Sequence, residues 1–142
     1  NHPDLRYVPS WRKWLTWDGK RWKIDMDSTR TLRRARTMTR SYWDKLPQLR
    51  SESERRAWST FCKSCNRRTT IENVVSLARC DKRISVQYEE LNQNSYLLNL
   101  RNGTLDLSTL EFRNHSQEDL ITQIASVEFN PNATCPNWIK FI

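Results

Sequence analysis

The chain has 142 residues, one domain in size and long enough to bury a core without disulfide or metal staples. A hydrophobic fraction of 37% with seven tryptophans supports a folded protein. No run approaches the roughly 20 apolar residues of a membrane span and no signal-peptide pattern opens the chain, so a soluble, cytoplasmic protein without membrane contact is expected. Its formal charge of +8 is unevenly placed: residues 1–83 hold 21 Lys and Arg against 9 Asp and Glu (+12), whereas residues 84–142 hold 3 against 7 (−4), which points a basic first part at a polyanion and an acidic third at protein.

The first expected element is a β-hairpin around Asp18-Gly19. A two-residue loop would pair Trp17 with Lys20, whereas a four-residue loop, Asp18 to Arg21, pairs Trp17 with Trp22 and Leu15 with Ile24. The second register leaves one clean apolar face and is preferred. Lys20 and Arg21 then stand at the tip. Trp17 and Trp22 read as core, while Trp11 and Trp14, outside that face, are the better candidates for stacking on bases.

Asp27 or Ser28 is expected to cap a helix running to about Leu46, where Pro47 stops it. Leu32, Ala35, Met38, Tyr42, Trp43 and Leu46 fall on one side. Beside them run Arg33, Arg36 and Arg40, flanked by Arg30 and Arg34. No acid lies between Arg30 and Arg40, although a merely solvated helix would interleave acids for pairing one turn apart. Arginines at this spacing suit successive phosphates.

A second helix is expected from Ser51, where Glu54 completes a capping box, carrying Ala57, Trp58, Phe61, Cys62 and Cys65. A third starts near Thr69 with Glu72 in the same relation, burying Val74, Val75, Leu77 and Ala78. Ser85 to Leu91 suits one short helical turn. Leu98, Leu100, Leu105 and Leu107 then flank Asn102-Gly103, a dipeptide that tolerates positive φ, and a second return at Ser108 to Glu111 makes an antiparallel meander. Glu118 to Ile124 and Ser126 to Phe129 suit short extended pieces. Pro136 opens a last helix, which the chain end cuts at Ile142, so a longer natural polypeptide is expected.

Catalytic and metal sites find little support. Cys62-Lys63-Ser64-Cys65 has zinc-like spacing, but four ligands are needed and only Cys80, Cys135, His2 and His115 could supply the rest, so buried thiols are expected. Asp25 and Asp27 resemble a metal-binding carboxylate pair but lack a third acid and fit hairpin exit and helix cap. His115, near Asp106 and Asp119 in sequence, has no accompanying nucleophile and is expected to hydrogen-bond within the meander. A phosphate-cradling G-x-x-x-x-G-K-[ST] loop is absent: Gly19 has Trp14 where the first glycine belongs, and no lysine follows Gly103.

Three passages carry a family resemblance. Leu5-Arg6-Tyr7-Val8-Pro9 leads into Trp14-Leu15-Thr16-Trp17-Asp18-Gly19-Lys20-Arg21-Trp22. The stretch from Asn94 to Thr122 follows, and then Phe129-Asn130-Pro131-Asn132-Ala133-Thr134-Cys135-Pro136-Asn137-Trp138-Ile139-Lys140-Phe141. In this order they resemble the helicase-associated domain that precedes the superfamily 3 helicase in phage, plasmid and poxvirus-type DNA primase-helicases. Arg12 departs from the pattern, standing where many relatives have glycine, as does Leu110 where the second turn is usually Thr-Gly.

The resemblance implies a single collar-like domain over residues 1–142, with the ATP- and magnesium-dependent helicase beyond Ile142 and no cofactor of its own. It also implies DNA, the parent protein's helicase and primase regions, and further copies in a ring as partners. The expected fold is α+β: an N-terminal β-hairpin, a central bundle of about three helices and a small C-terminal antiparallel meander. The expected DNA contacts are Arg33, Arg36, Arg40, Arg30, Arg34, Lys20, Arg21, Trp11 and Trp14, with tip and helix forming one electropositive wall. The alternative is an oligomerisation domain whose basic face meets acidic protein surfaces.

Overall fold

A computed structural model describes residues 4–134 and 136–141. The chain is α+β, as the sequence indicates. Strands β1 (Leu5–Val8), β2 (Lys13–Trp17) and β3 (Trp22–Ile24) form an antiparallel sheet in that order. The β2–β3 register is the one argued from the apolar face, with Trp17 opposite Trp22 and Leu15 opposite Ile24. The four-residue loop closes with Asp18 N–H donating to the Arg21 carbonyl at 3.1 Å.

β1 extends the expected hairpin into a three-stranded sheet and changes which residues are core. Its Tyr7 lies opposite Trp14, with ring centroids 5.1 Å apart. Leu5, Tyr7 and Trp14 then pack with Ala35, Ile71 and Val75 on the helical side. The opposite face buries Val8, Leu15 and Trp22 against Val86 and Leu91. Backbone bonds cover both sheet edges: Tyr7 with Ile84 and Val86 on one side, Trp22 N–H with the Ile121 carbonyl on the other.

Helix α1 (Thr29–Ser41) is shorter than expected; from Tyr42 to Gln48 the chain tightens into a 3-10 helix that contains Pro47. Proline cannot donate into the helix and disfavours α geometry in the residue before it, so the regular helix ends early. The cap also differs. Asp27 and Ser28 both adopt left-handed backbone and neither side chain caps; instead Asp25, 5% exposed, accepts from Arg30 N–H at 3.0 Å, Thr31 N–H at 2.8 Å and the Thr31 hydroxyl at 2.8 Å.

Helix α2 (Glu52–Cys65) begins with the expected Ser51–Glu54 capping box. Helix α3 (Arg68–Ala78) has no side-chain cap; Glu72 pairs with Arg68 instead. Its buried side is Ile71, Val75 and partly Ala78, one turn apart, which corrects the expected set: Val74 is half-exposed and Leu77 is 73% exposed. A single 3-10 turn, Tyr88–Glu90, precedes the second sheet.

That sheet orders β4 (Leu97–Leu100), β5 (Gly103–Asp106) and β6 (Glu111–Arg113) as an antiparallel meander. Gly103 is needed for closeness: a Cβ there would lie 2.5 Å from the Arg113 carbonyl oxygen and from the Phe112 ring, and its φ is not positive. The expected extended pieces contain a 3-10 turn at Gln117–Asp119 and otherwise run as irregular chain. A short helix α4 (Pro136–Phe141) starts at the expected proline. No helix among the described residues is long and apolar enough to cross a membrane.

Candidate nucleic-acid interface

α1 displays its cations because its other side is fixed. Thr31, Ala35 and Thr39 are buried at steps of four, and Thr39 meets Asn66 at the corner between α2 and α3, where Asn66 Nδ2 donates to the Thr39 and Cys62 carbonyls at 3.2 and 2.9 Å. Arg30, Arg33, Arg36 and Arg40 are therefore turned outward and exposed. None of the four makes an ion pair among the described residues. From Arg33 to Arg40 the row spans about 10 Å along the axis at 1.5 Å per residue.

A groove of about 640 Å³ runs between α1 and α3, lined by Leu32, Arg33, Arg36, Asn66, Arg68, Ile71 and Glu72. Arg68 was missed in the sequence, where it reads as one of many basic surface residues; only the packing of α3 on α1 brings it beside Arg33 and Arg36. Its Nε donates to Glu72 at 2.7 Å, so the groove sets three guanidinium groups against one carboxylate.

The remaining expected contacts separate. Arg34, partly exposed, is ion-paired with Asp4. Lys20 Nζ donates to the Arg101 carbonyl at 2.5 Å, and Arg21 reaches the Thr122 carbonyl at 3.4 Å and Asp18 at 3.8 Å. Both tip cations thus reach backbone carbonyls of the C-terminal third, and Arg21 also its own loop's Asp18. Trp14 is corrected outright: at 2% exposure it is core, with its indole N–H unpartnered among the described residues, because β1 and the helices cover the face that a lone hairpin would leave open. Trp11 remains 41% exposed in the β1–β2 loop. That loop and the start of α1 share one end of the sheet, since Asp25 N–H donates to the Trp14 carbonyl at 2.8 Å.

Two further arginines are held by acids in two-pronged pairs. Arg113 bridges Asp119 through both terminal nitrogens, at 2.9 and 2.7 Å. Arg83 grips Asp81 in the same two-pronged way and, with its own backbone N–H, holds that carboxyl at about 2. The α1 row has no such pairs among the described residues, a state it shares with Arg12, Arg50 and Arg56; what sets it apart is its regular spacing on one helix.

The other residues weighed for chemistry lie apart from this row. Cys62 is fully buried, and burial pushes its thiol up; Cys65 is partly buried and Cys80 exposed. His2 and Cys135 lie outside the described residues. No cluster of His, Cys, Asp or Glu fit for a metal occurs among the described residues. His115 Nδ1 meets Asn99 Oδ1 at 2.8 Å within the second sheet, as expected from its place there. Asp25 is the cap of α1, with both carboxylate oxygens engaged.

The structure is thus an α+β chain in which a basic helix lies beside one three-stranded sheet and a second three-stranded meander follows. The chain belongs to the family described as D5 N terminal like, whose model matches residues 1–142. It is accordingly a domain of the replication primase-helicase type. Comparison with curated proteins returned no match.

Proposed function

We propose that this chain is a non-catalytic DNA-contacting and assembly module of a replicative primase-helicase from a virus, phage or plasmid. In this reading it forms a collar beside a helicase motor that lies beyond Ile142 and that alone uses ATP and magnesium. The observation that carries this is the row Arg30, Arg33, Arg36 and Arg40, exposed and without ion pairs, along a groove to which Arg68 adds a further cation. Guanidinium groups one helical turn apart contact successive phosphates and release counterions, and phosphate contacts carry no sequence information. Binding is therefore sequence-tolerant and steeply salt-dependent.

Fluorescence anisotropy with labelled single and double strands across a salt series tests this. Replacing Arg33, Arg36 and Arg40 together by Ala is expected to flatten the slope of log affinity against log salt by roughly 2 on single strands, at about 0.7 per lost phosphate contact. Affinity that ignores salt, or survives the triple change, removes the reading. A second reading, assembly without DNA, draws on Tyr96, Leu98, Leu107 and Leu110, which leave 40 to 74% of their surface open on the second sheet and its loops. Sedimentation of the same samples separates the two: concentration-dependent association with no DNA affinity favours the second.

A further inference from the structure

At the C-terminal end of α1 the arginine row runs into an aromatic group. Tyr42 follows Arg40 by two residues and stacks on Phe61 of α2 at 5.8 Å and 30°. Phe61 lies 5.0 Å from Trp58. Trp58 is locked by its indole N–H, which donates to the Tyr42 carbonyl at 2.8 Å, and Lys45 Nζ sits 4.7 Å over its ring. Yet Phe61 keeps 44% of its surface in solvent, while Cys62 beside it is fully buried. The group thus holds a phenyl ring rigidly with one side open. Cations flank it: Arg40 at the row's end and Lys45 on the indole, against Asp44 as the neighbouring acid.

We propose that Phe61, braced by Tyr42 and Trp58, is a base-stacking platform at the end of the arginine row, and that it makes this site selective for unpaired strands. The inference rests on the phosphate-contact reading above and adds the ligand's class. Every base has a π-face, so one exposed ring accepts any sequence, and a duplex, whose bases are already stacked, gains nothing from it. Charge complementarity favours a nucleic acid over an apolar protein surface as the occupant, because Lys45 sits on the neighbouring indole and the α1 row ends at Arg40, two residues before the Tyr42 that stacks on the ring. Stacking is worth about 1–3 kcal/mol per base, or roughly 5- to 150-fold in affinity.

The test compares oligothymidylate of about 15 nucleotides with an abasic strand of equal length, a span within the usual site sizes of single-strand binders. The wild-type chain is expected to bind oligothymidylate at least fivefold tighter. Phe61→Ala should bring oligothymidylate down to the abasic level while leaving abasic and duplex affinity unchanged; Phe61→Trp should restore the difference. Equal wild-type affinity for the two strands overturns the platform and leaves the phosphate reading standing; no affinity for either overturns both. The wild-type comparison needs no substitution, so a misfolded Phe61→Ala does not spoil it. An intact thymidylate preference in folded Phe61→Ala, with loss of self-association in sedimentation, assigns the ring to protein contact and overturns the proposal.

Discussion

Arg12 and Leu110 hold φ at 53° and 60°, in the left-handed region where a Cβ crowds the following carbonyl. The family resemblance implies glycine at both positions, and both side chains are exposed, Leu110 to 74%. Relief of the left-handed strain exceeds the extra unfolded-state entropy of glycine, so Arg12→Gly and Leu110→Gly are each expected to raise stability by about 0.5–1 kcal/mol, read as an increased urea midpoint at unchanged slope. Gly103→Ala should do the reverse, losing about 1–3 kcal/mol, because its Cβ has no space between Phe112 and the Arg113 carbonyl. The hairpin was legible in the sequence, but its turn was not. The loop is Arg101-Asn102, Gly103 already pairs with Leu100, and neither Asn102 nor Gly103 has positive φ. The constraint on the glycine comes from β6, ten residues away. Trp14 went astray for the same cause. Alternation within a hairpin identifies a face, but cannot reveal that a preceding strand and two helices will cover the other one.

α1 shows how far an element can be read. Its arginine stripe, its acid-free run and the influence of Pro47 are all in the sequence, and the exposed positions of Arg30, Arg33, Arg36 and Arg40 follow from them. Its cap was placed two or three residues late, because two left-handed residues in a row, Asp27 and Ser28, fold the chain back so that Asp25 reaches over them to the first turn. Asp25→Ala removes an acceptor of three hydrogen bonds in a buried position. It is expected to cost about 2 kcal/mol and to reduce helical circular dichroism before global unfolding, whereas Ser28→Ala should change neither. The groove was less legible. Arg68 enters it only through the packing of α3 on α1, and the burial of Ile71 in place of Leu77 sets that rotation.

Across the whole molecule, Asn99 joins the two sheets. Buried at 5% exposure, its amide donates to the Lys20 and Gln123 carbonyls at 3.1 and 2.8 Å, and its oxygen meets the Thr104 hydroxyl at 3.2 Å and His115 Nδ1 at 2.8 Å. Asn99→Leu strands these partners and should destabilise by about 2–4 kcal/mol, with amide exchange accelerating first in β4–β6. This junction was invisible in the sequence, where the leucines looked like the part of the meander that matters; the residues that dock it are polar, and each is unremarkable alone. The Asp25 cap has a consequence at this scale too. The N-terminal end of α1, the one place where a helix offers bare N–H groups and positive dipole to an anion, already holds a carboxylate. On the phosphate-contact reading proposed above, a strand finds no terminal socket on this helix and lies lengthwise, as on a rail, from Arg30 toward Arg40, free to slide without being pinned at one end.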